Sequence, residues 1–211
     1  MGVTAGYYSI SAADLTVALH WDAYRRGRES GSPNQNLLRT PEQRDPLWFL
    51  RPNPTSEQQG AIWLTSSEIE QDRAADQEYT LAAERGEILD LDKSFHSLAF
   101  LLSTEYRESE GDRAWAVVPY DMEASDPLVA AIFGSRRLHI EPWTPYNMPH
   151  DVRWIADALS ARDWAAEIAT AQAEGLSVRY TDEALRQYTA EITAFYKRAA
   201  AAGRAVIVDI E

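Results

Sequence analysis

Residues 87–103 read EILDLDKSFHSLAFLLS, from Glu87 to Ser103. Up to Asp92 an apolar run alternates with acids, as in a strand with one wet face. From Lys93 the period changes. Phe95, Leu98, Ala99, Leu101 and Leu102 then fill one side of a helix, and Asp92 suits its N-cap. A short strand feeding a helix is the basic unit of a domain that mixes sheet and helices.

The flanking sequence extends this pattern. Upstream, Tyr7–Ile10 is a candidate strand, and Ser11 caps a helix from Ala12 to about Tyr24 with Leu15, Ala18 and Leu19 inward. Residues 25–60 hold five prolines and little periodicity, so they form a long excursion that the Leu47-Trp48-Phe49-Leu50 cluster staples to the body. Thr65-Ser66-Ser67-Glu68 matches a capping box, and the helix it opens stops at Gly86. Its apolar residues are few (Ile69, Tyr79, Leu81, Ala82), which leaves one side wet and strongly acidic.

Downstream, Trp115–Tyr120 is a strand or an extended edge piece, because Pro119 lacks a donor. Asp126, Pro127 and Gly134 punctuate a short helix as N-cap, first turn and C′ position. Leu138–Ile140 is another candidate strand, and Glu141–Pro149 a proline-broken aromatic loop. Helices follow over 149–159, 163–174 and 182–202, the last with Leu185, Tyr188, Ile192, Phe195, Tyr196 and Ala199 at helical spacing. Ala205–Ile210 is nearly all apolar, which suits the interior of a sheet. The pattern predicts an α+β fold: a single compact domain over 1–211, with a small mixed sheet packed against several helices and an excursion at about 25–86.

Several function classes are excluded or disfavoured. The 211 residues include no cysteine, which removes disulfides, thiolate nucleophiles and cysteine-ligated zinc. The stretch MGVTAGYYSI has neither the basic flank nor the apolar core of a signal peptide, and no run approaches the roughly 20 apolar residues of a membrane span. A cytoplasmic protein is expected, monomeric or dimeric, with no membrane association. The net charge is −13 and the pI about 4.7. Such a chain repels phosphate backbones, so no nucleic acid is expected as a partner. Between Ser66 and Asp92 stand nine acids and two bases, so seven of the thirteen net negative charges lie in that segment.

The ordered set of Tyr7-Tyr8-Ser9-Ile10, LDLDKSFHSLAFLLS at 89–103, DPLVAAIFG at 126–134, PHDVRWIADAL at 149–159 and FYKRAAAAGRAVIVDI at 195–210 resembles the YfbM-like family of small bacterial proteins, a domain family without an assigned function. The resemblance implies a compact α+β domain and supplies no catalytic residues. One family feature, a Tyr-Pro followed by an aromatic ahead of the last helix, is replaced here by Ser177-Val178-Arg179-Tyr180-Thr181.

Two constellations could carry chemistry. Asp90 and Asp92 share a strand face, and His96 lies one helical turn beyond Asp92 or Lys93, as a base or a divalent-metal site would need. Their structural reading is an N-cap, a charge pair with Lys93 and a packed histidine. His139, Glu141, His150 and Asp151 surround a loop with Trp143, Tyr146 and Asn147. His-x-Glu occurs in zinc deaminases, whose Pro-Cys-x-x-Cys partner is absent here. Asp151 near a helix start also suits the helix dipole. No phosphate-binding glycine loop and no Gly-x-Ser-x-Gly is present, and Arg136-Arg137 is a common surface pair. No cofactor or metal is expected.

The leading reading is a non-enzymatic acidic binding protein, in concrete form an antitoxin or immunity-type inhibitor of a basic protein partner. Its expected contacts are Trp48, Phe49, Glu68, Asp72, Asp76, Glu78, Trp143 and Tyr146. The alternative is a small-molecule or metal-dependent enzyme using Asp90, Asp92 and His96, or the loop from His139 to Asp151.

Overall fold

In the computed structural model, residues 5–16, 18–19, 79–91, 95–103, 126–138, 144–173 and 181–210 are described. The chain divides into two units, Met1–Ala12 with Glu87–Glu211, and Ala13–Gly86.

The first unit carries a five-stranded sheet. Its strands are β1 (Ala5–Ile10), β2 (Ile88–Asp90), β3 (Arg136–Leu138), β4 (Thr144–Asn147) and β5 (Ala205–Ile210), in the order β2-β1-β5-β4-β3. Every pairing is antiparallel, where the sequence suggested a mixed sheet. The apolar run at 205–210 does take the central place, flanked by β1 and β4. Six consecutive residue pairs join β1 to β5, from Ala5↔Ile210 to Ile10↔Ala205. At the β2 edge, Leu91 N donates to Ala5 O and Ser9 N donates to Glu87 O.

Five helices with defined bounds belong to this unit: α1 (Phe95–Leu102), α2 (Pro127–Phe133), α3 (Pro149–Ser160), α4 (Trp164–Ala173) and α5 (Asp182–Ala201). Their punctuation follows the sequence. Asp126 is extended (φ −109°, ψ 125°) and its Oδ1 accepts from Leu128 N at 2.7 Å, so it caps α2. Asp163 Oδ1 accepts from Ala166 N at 3.2 Å and Thr181 Oγ1 from Ala184 N at 3.3 Å, which start α4 and α5. Gly203 closes α5 at φ 63°.

The apolar faces of α1, α2, α3 and α5 converge on one side of the sheet. Leu98, Ala99 and Leu102, the whole stretch Ala130–Phe133, Val152, Ile155 and Leu159, and Ile192, Phe195 and Tyr196 form one cluster with Tyr7, Val206 and Val208 of the sheet. Tyr7, Phe195 and Tyr196 meet edge to face, with ring centroids 5.6–6.4 Å apart. Leu101, Ile168, Ala171 and Leu185 form a second, smaller cluster that seats α4.

β4 is the element the sequence did not suggest. It occupies the stretch expected to be a proline-broken loop, while β3 begins two residues before the expected Leu138–Ile140 strand. Pro145 is tolerated because β4 pairs with the central strand only through Tyr146 and Asn147. The proline precedes that ladder and faces Arg137 of the short β3.

In the second unit the described residues are two helical stretches. Residues 13–16 and 18–19 are helical, with Leu15 and Ala18 buried as expected. Residues 79–84 are helical, and the chain turns at Gly86, whose N donates to Ala83 O. Tyr79 and Leu81 are both exposed, so the wet side of this helix is wider than its apolar residues suggested.

Candidate functional site

The largest concentration of buried polar groups among the described residues lies where α2, β4, α3 and α5 meet. It grows from the short link between α2 and β3. Gly134 there has φ 71° and ψ 157°, a conformation essentially restricted to glycine. A Cβ on Gly134 would fall 2.7 Å from Pro145 Cβ and 2.8 Å from Tyr146 N. The chain therefore passes against β4, and Ser135 N donates to Asn147 Oδ1 at 2.7 Å and to Tyr146 O at 3.1 Å.

Ala130 O keeps its helical donor, Gly134 N at 2.9 Å, but the turn takes Ser135 N away from Ala131 O. The last carbonyls of a helix need other donors, and here three successive ones receive side chains from three other elements. Asn147 Nδ2 of β4 donates to Ala130 O at 3.1 Å. The Tyr196 hydroxyl of α5 donates to Ala131 O at 2.9 Å. The Tyr7 hydroxyl of β1 reaches Ile132 O at 3.5 Å, a long contact. Asn147 Nδ2 also donates to the Tyr196 oxygen at 3.1 Å, which links two of the three. All three side chains are completely or almost completely buried. Burial pushes the Tyr196 phenol far above its ordinary pKa, against a smaller opposite effect of the Asn147 hydrogen bond. Burial likewise raises that of Tyr7, with the neighbouring Tyr196 adding to the shift. Both are therefore neutral donors at any physiological pH.

Asp151 stands beside this network at the start of α3. Its Oδ2 accepts from Ser135 Oγ at 2.7 Å and from Met148 N at 3.0 Å, with Arg136 Nε at 3.6 Å. Its Oδ1 lies 3.1 Å from His150 Nε2. The bond to Met148 N is the reciprocal half of a capping box. Ser135, Asp151 and His150 are not a nucleophilic triad. In a triad the histidine bridges serine and acid; here the carboxylate lies between the other two. With its lone pairs engaged by these partners, Asp151 acts as a structural acceptor that ties the start of α3 to β3.

The sequence-derived site residues fare differently. Of the loop from His139 to Asp151, Asn147 and Asp151 each bond Ser135 and His150 lies beside Asp151, with Arg136, Tyr7 and Tyr196 completing the arrangement. Tyr146, expected at an aromatic binding surface, is buried in β4 opposite Ile207 of the central strand. Packing the sheet centre claims its ring. His150 itself is exposed. Asp90 is exposed at the end of β2, while Glu87 pairs with Arg204 at 2.6 Å within the same unit. His96 lies in α1, but its side chain falls outside the described residues, as do Asp92, His139, Glu141, Trp143, Trp48, Phe49, Glu68, Asp72, Asp76 and Glu78. Among the described residues no group of three or more His, Asp or Glu could hold a metal ion, and no helix is long and apolar enough to cross a membrane. The buried tyrosines were the missed signal. A tyrosine on the apolar face of a strand or helix needs a partner for its hydroxyl, and both stand on such faces in the sequence.

Fold and site together define an α+β domain built on an antiparallel sheet, with a buried polar staple at the end of its second helix. The family model described as "Domain of unknown function (DUF1877)" matches residues 53–208. That is well over half of the chain, and the chain belongs to this family. Among solved structures it is similar to that of YfbM from Escherichia coli, described as a protein of unknown function, at 14% identity over 99% of each chain with a TM-score of 0.49. The match to a domain family of unknown function agrees with what the ordered motifs implied. No curated protein matches it.

Proposed function

We propose that this chain is a non-enzymatic acidic binding protein that docks on a basic protein partner, in concrete form an antitoxin or immunity-type inhibitor acting in the cytoplasm. The observation that carries the reading is where the charge lies. In the first unit, the described residues hold eleven carboxylates and eight Lys or Arg, a net of −3. The chain as a whole carries −13, so −10 belongs to the rest of the sequence. The sheet and its helices are thus nearly balanced, and the excess lies in other segments, the 66–86 stretch among them with six acids against two bases. An unbalanced acidic surface accelerates association with a cationic partner roughly 10- to 1,000-fold and makes it salt-sensitive. Aromatic anchors such as Trp48 and Phe49 would supply the short-range affinity.

The test is affinity capture from a native lysate at low and at high salt, with the wild type and a variant carrying Glu68→Gln, Asp72→Asn, Asp76→Asn and Glu78→Gln. A basic partner retained by the wild type, released by salt and captured poorly by the variant is the expected result. Failure to capture a basic protein, or equal capture by both forms at both salt concentrations, overturns the proposal.

A further inference from the structure

We draw no further inference here: the strongest candidate, the outer face of α3 on which exposed Trp154 stands among exposed His150, Arg153 and Asp157, carries nothing because nothing in the structure shows what covers it.

Discussion

Replacing Tyr196 with Phe removes one oxygen from the middle of the molecule and leaves the ring in place. The ring is fully buried and stacks edge to face on Phe195 and Tyr7, so the substitution leaves the packing of the apolar core unchanged. What disappears is the donor to Ala131 O at 2.9 Å. In a continued helix Ser135 N would serve that carbonyl, but it is turned to Asn147 Oδ1 and Tyr146 O. Leaving a buried carbonyl without its donor costs about 1–3 kcal/mol. The second loss is smaller, because Asn147 Nδ2 keeps Ala130 O at 3.1 Å when the phenol oxygen goes. The expected destabilisation is roughly 2–3 kcal/mol, or a melting temperature lower by about 4–12 °C for a chain of this size. Equilibrium urea unfolding followed by tryptophan fluorescence measures it, with an unchanged m value showing that buried area was preserved. Tyr7→Phe is the internal control. Its 3.5 Å contact is too long to contribute much, so its cost should stay below about 1 kcal/mol. If Tyr196→Phe costs less than about 0.5 kcal/mol, or if the two variants cost the same, then the end of α2 is not held by graded side-chain donors and the reasoning is wrong.

Alkaline pH probes the same two phenols. Their folded pKa values are raised, so their contribution is complete below the unfolded value of about 10. Above it the unfolded chain releases protons that the folded chain keeps, and stability should fall by about 1.4 kcal/mol per pH unit for each tyrosine. Unfolding free energies between pH 9.5 and 11.5 should therefore decline less steeply in Tyr196→Phe, by about one such increment, and equal slopes would contradict the assignment. At Gly134, alanine meets both a glycine-only conformation and contacts at 2.7–2.8 Å, and should cost at least about 3 kcal/mol. Gly203→Ala, with nothing within 4 Å of the added Cβ, should cost only about 1–2 kcal/mol for its positive φ; thermal melts of the two variants test the contrast. Asp151→Ala strips acceptors from Ser135 Oγ and Met148 N and should cost about 2–3 kcal/mol, while His150→Ala should be nearly silent in the same chemical unfolding assay.

Elements with local punctuation were legible in the sequence. Asp126-Pro127 and Gly134 bound α2 because capping is decided within a few residues. The 3.6-residue pattern of α3 and α5 survives because each buries one continuous stripe, and the run at 205–210 reads as central because both of its faces are buried. What was not legible depends on residues far apart. β4 looks like a loop until its pairing is known, since Pro145 is harmless only when the ladder to β5 starts after it. The polar staple joins Tyr7, Asn147 and Tyr196 to consecutive carbonyls, across separations of 125, 17 and 65 residues. No periodicity encodes such a meeting. Only the Asp151–Met148 half of the site, three residues apart, left a local trace.

The staple also bears on where function can reside. Using Asp151 as a base or metal ligand would mean withdrawing it from Ser135 Oγ and Met148 N, which unties α3 from β3 at the moment of use. Using Tyr196 as an acid would require ionising a fully buried phenol whose proton α2 needs. Stability thus commits these groups, the most functional-looking ones among the described residues of the sheet-and-helix unit, to holding the fold. The described residues of this unit carry a net of only −3 of the chain's −13, so most of the net negative charge belongs to other segments. The scaffold and the proposed recognition surface are then separable by mutation. The four-carboxylate variant should lose capture of a basic partner while keeping the wild-type unfolding midpoint, whereas Tyr196→Phe should lower the midpoint and, at temperatures where it remains folded, keep capture intact. Finding both losses in either variant would mean that the two roles share residues and that the division drawn from the charge distribution is false.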